Sequence, residues 1–155
     1  MNKVVVGVDG SEPSLRALAW AARQAKLTGA TLEAVTCVDF PAEGWEPMAG
    51  WAPPPLRPED LDPGELGRRI LDNALAKVLD DEAAARVDHQ VYVGGAVQGL
   101  LDRAEGAELL VVGERSHRGF AAALLGSVAH HLTHHAPCPV TVVRGGEDPA
   151  SKDSD

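Results

Sequence analysis

Apolar and polar positions alternate between two periods along this chain, one of strands and one of helices. Val4-Val5-Val6-Gly7-Val8 is a short β-branched run, apolar throughout, which predicts a strand buried on both faces. Asp9-Gly10-Ser11 reads as a turn, with Ser11 as a helix N-cap and Pro13 near the helix start. Leu15, Leu18, Ala22 and Ala25 then recur at helical spacing, and Gly29 ends that helix. Thr31 to Val38 predicts a second strand. The stripe Leu66, Ile70, Ala74 and Val78 predicts one helix over Glu65 to Arg86. Val87, His89, Val91 and Val93 alternate against Asp88, Gln90 and Tyr92 as a third strand. A short helix over Val97 to Glu105 follows, then an apolar strand at Leu109-Leu110-Val111-Val112. Gly126 to Ala136 predicts the last helix and Pro139 to Val143 the last strand.

Strands that alternate with helices imply an α/β fold: an open, mainly parallel five-stranded sheet with helices on both faces. Ligands of such Rossmann-like sheets sit at the carboxyl ends of the strands. The loops after Val8, Val38, Val93 and Val112 are therefore the ones to inspect. Residues 40–64 break the pattern with seven prolines, three glycines and the pair Trp45 and Trp51. A loop of this length is either a lid over a ligand or a surface insertion. The expected domain is 1–144, followed by a polar, disordered tail at 145–155.

Composition narrows the function. The chain has 155 residues, and its net charge of −9 disfavours binding to nucleic acid or anionic membrane through bulk charge. Aromatic content of 4% removes stacking platforms for single strands. The opening residues show no signal peptide, and no apolar stretch reaches the roughly 18 residues that span a bilayer. Cys37 and Cys138 form no CxxC pair and are too few for a disulfide framework. The expectation is a cytoplasmic protein.

The chemistry concentrates after the fourth strand. Gly113-Glu114-Arg115-Ser116-His117-Arg118-Gly119 precedes Gly126-Ser127, which opens a helix. Glycines let a backbone approach phosphate, and helix N-termini offer N–H groups to anions. The pattern is neither GxGxxG nor GxxxxGK[ST], and a plain tight connection fits it equally well. Asp9 at a strand end suits ribose hydroxyls or, equally, an Asx turn. His130, His131, His134 and His135 form two i, i+4 pairs that have metal-ligand spacing, but helix C-terminal histidines also serve the macrodipole, which is the preferred reading.

Val6 to Ser11, Leu109 to Gly113, Leu124 to Val128 and His134 to Val140 together resemble the universal stress protein family over residues 3–144. The resemblance implies a strand order of 3-2-1-4-5 and a regulatory module in stress response that binds ATP, with Mg²⁺ accompanying the nucleotide. ATP-binding members carry a glycine, two residues, a second glycine, nine residues and then Gly-Ser or Gly-Thr. Gly113, Gly126 and Ser127 match that pattern, and Ser116 stands in the place of the second glycine. A serine held at positive φ costs about 1–2 kcal/mol, yet its hydroxyl can donate to phosphate. Carried over residue by residue, Asp9 contacts the ribose and adenine end, while Gly7 and Cys37 line the adenine pocket. Gly113, Ser116, Gly126 and Ser127 surround the triphosphate, and Arg115, with His117 and Arg118, adds positive charge. The resemblance also implies a homodimer through the edge strand Val140–Val143. Alternatives are a slow ATP hydrolase, for which no nucleophile–base pair is visible, and a nucleotide-free interaction protein.

Overall fold

The computed structural model describes residues 2–39, 62–114 and 126–144. Five strands, β1 (Lys3–Gly7), β2 (Thr31–Val38), β3 (Asp88–Val93), β4 (Leu109–Gly113) and β5 (Val140–Val143), form one sheet. All four strand pairings are parallel, and the order is β3-β2-β1-β4-β5. The helices are α1 (Glu12–Thr28), α2 (Pro63–Val78), α3 (Asp81–Ala85), α4 (Ala96–Ala104) and α5 (Ser127–His135).

Alternation along β1 explains why the helices cover both faces. Val4 and Val6 point into one core with Leu18, Ala21 and Leu71, contributed by α1 and α2. Val5 points into the other, with Leu100, Leu110 and Leu132, contributed by α4, β4 and α5. A central parallel strand buried on both sides is apolar at every position, as Val4–Val6 is. Gly29 closes α1 in the left-handed region at φ 72°, and its N–H donates to the Ala25 carbonyl. On the α4 side, the buried Glu33 joins β2 to its neighbours. Lys3 Nζ lies 3.1 Å from its Oε2, and Arg103 Nε donates to Oε1 at 2.7 Å.

Three expectations need correction. The helix drawn over Glu65 to Arg86 is two helices, because Leu79 is extended (φ −119°, ψ 152°) and Asp80 caps a new start by accepting from Ala83 N–H at 2.7 Å. The loop drawn over 40–64 ends earlier, since Asp62 caps α2 and Pro63 is its first residue. The inward stripe of α2 is Gly67, Leu71, Ala74 and Leu75 rather than Leu66, Ile70, Ala74 and Val78. The stripe turns because Gly67 meets Val91 so closely that a Cβ there would lie 2.4 Å from Val91 Cγ1. As an edge strand, β3 leaves His89 exposed and Val93 62% exposed. Trp45, Trp51 and the 145–155 tail lie outside the described residues.

Candidate functional site

At the carboxyl ends of the strands, a cavity opens between β1, β2, β4 and the start of two helices. Gly7, Val8 and Asp9 form its β1 side, Val35 and Cys37 its β2 side, and Val112 and Gly113 its β4 side. Ala96 and Leu100 of α4, and Val128 and Ala129 of α5, complete it, with Ser14 at the start of α1. Two glycines make this space possible. A Cβ on Gly113 would stand 2.7 Å from the carbonyl carbon and oxygen of Pro13, so only glycine lets β4 pass the start of α1. A Cβ on Gly7 would stand 3.1 Å from Leu100 Cδ1.

Asp9 is both a turn residue and a cavity residue. Its Oδ1 accepts from the Ser11 N–H at 2.9 Å and from the Ser11 hydroxyl, which is an Asx turn. Its own N–H donates to Ser14 Oγ at 3.2 Å. This network fixes the carboxylate at the rim of the cavity. On the β2 wall the Cys37 Sγ lies 3.9 Å from the Ala96 carbonyl, and burial pushes its thiol from the ordinary 9.0 up to about 12. Cys37 is therefore a protonated, apolar wall rather than a nucleophile.

The two helices that open onto the cavity share one property. Both α4 and α5 start from glycine N-caps, Gly95 and Gly126, and neither has a side-chain hydrogen bond at its cap. Their first residues leave N–H groups without intrahelical partners, and the aligned peptide dipoles place partial positive charge there. A cavity that is apolar inside and meets two such helix starts suits a flat apolar group bearing an anion.

Glu114 closes this end of the sheet. Its N–H donates to the Val143 carbonyl at 3.1 Å, and the Gly126 N–H donates to its carbonyl at 2.6 Å. Its side chain is buried, with Oε2 3.6 Å from Arg144 Nε. Among the sequence candidates, Gly7, Asp9, Cys37 and Gly113 thus line one cavity. Gly126 caps the helix beside it, and Ser127 is exposed as the first residue of α5. Arg115, Ser116, His117 and Arg118 lie outside the described residues. The four α5 histidines are exposed, His131 Nδ1 is 2.9 Å from the Ser127 carbonyl, and the rings of His130 and His134 meet edge to face at 4.7 Å. Among the described residues no group of three or more His, Cys, Asp or Glu is placed to hold a metal ion.

Sequence reasoning singled out the loop after Val93 but missed Ala96, Leu100, Val128 and Ala129, and gave Glu114 no role. The doublet Gly94-Gly95 behind a strand was the available signal for Ala96.

The family model of the universal stress protein family matches residues 1–144. The chain belongs to the universal stress protein family. It is 34% identical over 146 residues to universal stress protein Rv2623 of Mycobacterium tuberculosis, covering 90% of this chain and 46% of that protein. A universal stress protein of Mycolicibacterium smegmatis is 30% identical over 154 residues, covering 97% of this chain and 50% of its own length. The chain spans about half the length of these curated relatives. A solved universal stress protein in complex with cAMP superposes with a TM-score of 0.63 at 27% identity, covering 92% of this chain and 96% of that one. No helix among the described residues is long and apolar enough to cross a membrane.

Proposed function

We propose that this universal stress protein binds an adenine nucleotide, ATP with Mg²⁺ among them, and acts as a regulatory module in the stress response of the cytoplasm. The observation that carries the reading is the cavity where α4 and α5 both begin without side-chain caps. In this reading the base lies against Gly7, Val35, Cys37 and Leu100, and Asp9 accepts from the ribose. The phosphates take the N–H groups at the start of α5, beside Gly113, Gly126 and Ser127, with Arg115 and Ser116 on the same loop. The donor set fits such a group: it is uncharged backbone N–H, suited to an anion. The related structure that contains cAMP supports the same ligand class.

The experiment is thermal unfolding of the full chain with Mg²⁺-ATP and with cAMP, with GTP as control. A ligand at 100 times its Kd stabilises by about 2.7 kcal/mol, which raises the midpoint by roughly 2–4 °C per kcal/mol in a domain of this size. A rise restricted to adenine nucleotides supports the reading, and no rise at millimolar ligand overturns it.

We also propose a homodimer through β5. Both β3 and β5 are sheet edges, but β3 presents the exposed Asp88 and His89, whereas β5 is Val-Thr-Val-Val and only half-buried. An apolar edge favours pairing with another strand. Hybrid dimers from mixed tagged and untagged chains are the expected result, and their absence at micromolar concentration overturns the dimer.

A further inference from the structure

The last helix carries a second concentration of ligand chemistry. His130, His131, His134 and His135 are exposed on α5, whose buried side is Ala129 and Leu132, and none of the four lines the cavity. Residues four apart on a helix are neighbours on its surface, so the histidines form two pairs, His130 with His134 and His131 with His135. The structure makes these pairs unequal. The ring centroids of His130 and His134 stand 4.7 Å apart with the planes at 64°, whereas those of His131 and His135 stand 6.3 Å apart at 34°. The sequence neighbours His130–His131 and His134–His135 are also 6.3 Å apart. His131 is engaged within its own helix, with Nδ1 2.9 Å from the Ser127 carbonyl.

That difference has a meaning in coordination chemistry. With metal–nitrogen bonds of about 2.0–2.1 Å, two imidazoles at adjacent positions of one ion hold their ring centroids roughly 4.5–5 Å apart. His130 and His134 already have that separation, and His131 and His135 exceed it. We infer that His130 and His134 form a chelating site for a divalent transition-metal ion, with Cu²⁺ its preferred occupant. Imidazole suits Cu²⁺, Ni²⁺ and Zn²⁺; two nitrogen donors near a right angle match the tetragonal preference of Cu²⁺, which also stands highest in affinity among these ions. Among the described residues no group of three or more His, Cys, Asp or Glu is placed around an ion, which leaves the other positions to water and makes the site an open, exchanging one. His134 lies in the last turn of α5, where the helix dipole favours positive charge, and the bound ion supplies it. The chelate also ties together one turn of the helix. This inference is independent of the nucleotide reading.

The test is titration of Cu²⁺, with Zn²⁺ alongside, into the full chain without an affinity tag, read by calorimetry and by electron paramagnetic resonance. The native chain is expected to take up one Cu²⁺, more tightly than Zn²⁺, with a spectrum that shows two nitrogen donors. His130→Gln and His134→Gln are each expected to weaken Cu²⁺ by at least about tenfold, because the second ligand acts at high effective concentration only while both are present. His131→Gln and His135→Gln are expected to leave the affinity nearly unchanged. All four side chains are exposed, so the variants should fold as the native chain does, and the metal-free unfolding midpoint checks this. At 100 times its Kd, Cu²⁺ should raise the native midpoint by roughly 5–10 °C and leave that of His134→Gln unmoved. Equal weakening by all four substitutions means a diffuse attraction and overturns the site. Loss confined to His131→Gln and His135→Gln overturns it too, as does a spectrum without nitrogen donors. A native chain that binds no Cu²⁺ at submillimolar concentration leaves the histidines to the helix dipole alone and overturns the inference, and Zn²⁺ bound ahead of Cu²⁺ overturns the choice of ion.

Discussion

The two faces of the sheet start their helices differently. On one face every helix N-terminus is capped by a side chain: Ser11 accepts from Ser14 N–H, Asp62 from Gly64 N–H and Asp80 from Ala83 N–H. On the other face α4 and α5 begin at Gly95 and Gly126 with no such bond. The adjacent residues Thr36 and Cys37 repeat the contrast. The Thr36 hydroxyl is fully buried and donates to the Val8 carbonyl at 2.8 Å, whereas Cys37 faces the cavity. One face satisfies its polar groups within the chain, which serves stability. The other leaves N–H groups unmatched by side chains at a cavity mouth, which under the proposed function serves binding and forgoes some stability.

Core truncation should break the comparison most sharply. Leu18 is fully buried on the inner side of α1, and Leu100 lines the cavity from α4. Each change to alanine is expected to cost about 3 kcal/mol, or roughly 6–12 °C in the midpoint. The ligand-induced rise should survive Leu18→Ala and shrink in Leu100→Ala. Calorimetry with and without nucleotide reads both quantities. If Leu18→Ala abolishes the ligand response, the division of labour between faces is wrong.

The caps give a smaller and more pointed test. Ser11→Ala removes a side-chain cap and should lower the midpoint by about 2–4 °C, equivalent to about 1 kcal/mol. Gly126→Asp adds a cap where φ is −68° and ψ is 162°, backbone that any residue adopts. It should hold or raise the unliganded midpoint by about a degree, from a few tenths of a kcal/mol. The same substitution should eliminate the nucleotide-induced rise, because the added carboxylate competes for the N–H groups of α5. A Gly126→Asp chain that still responds to nucleotide would locate the anion elsewhere.

What the sequence made legible follows from the same contrast. The runs Val4–Val8 and Leu109–Val112 announce strands buried on both faces, and Ser11 announces α1, because each signal is local. The break at Leu79 was not legible. Asp80 is equally at home on a solvated helix face or as an N-cap, and only backbone geometry separates the two. The turned stripe of α2 escaped because periodicity weighs large apolar residues, whereas its close contact with β3 is made by Gly67. Within the cavity, Asp9 and Gly113 were readable as turn and glycine chemistry at strand ends, whereas Gly7 and Cys37 were reached only through the family resemblance. Leu100, Val112, Val128 and Ala129 were not legible, since an apolar cavity wall has the composition of a core. Glu114 was on the page but carried no spacing signal; its burial and its hold on Gly126 and Arg144 arise only when β4, β5 and α5 converge.

Cys37 supplies the smallest and most local test. Burial raises its folded-state pKa from 9.0 to about 12, so the folded chain holds the proton more tightly than the unfolded one. Below pH 9 both states are protonated and Cys37 adds no pH dependence. Between about pH 9 and 12 the unfolded thiol ionises while the folded one does not, so its contribution to stability is lost as pH rises. The unfolding midpoint of Cys37→Ala should therefore fall less steeply than the native midpoint over that window. Alkylation provides the complementary reading, because the thiolate is the reacting species. At pH 8 Cys37 should react with iodoacetamide at least about tenfold more slowly than an unfolded cysteine, and more slowly still with nucleotide present. A fast reaction that nucleotide leaves unchanged would mean that the thiol does not stand in the wall of the binding cavity, and the base would have to lie against the opposite wall, formed by Gly7 and Val112.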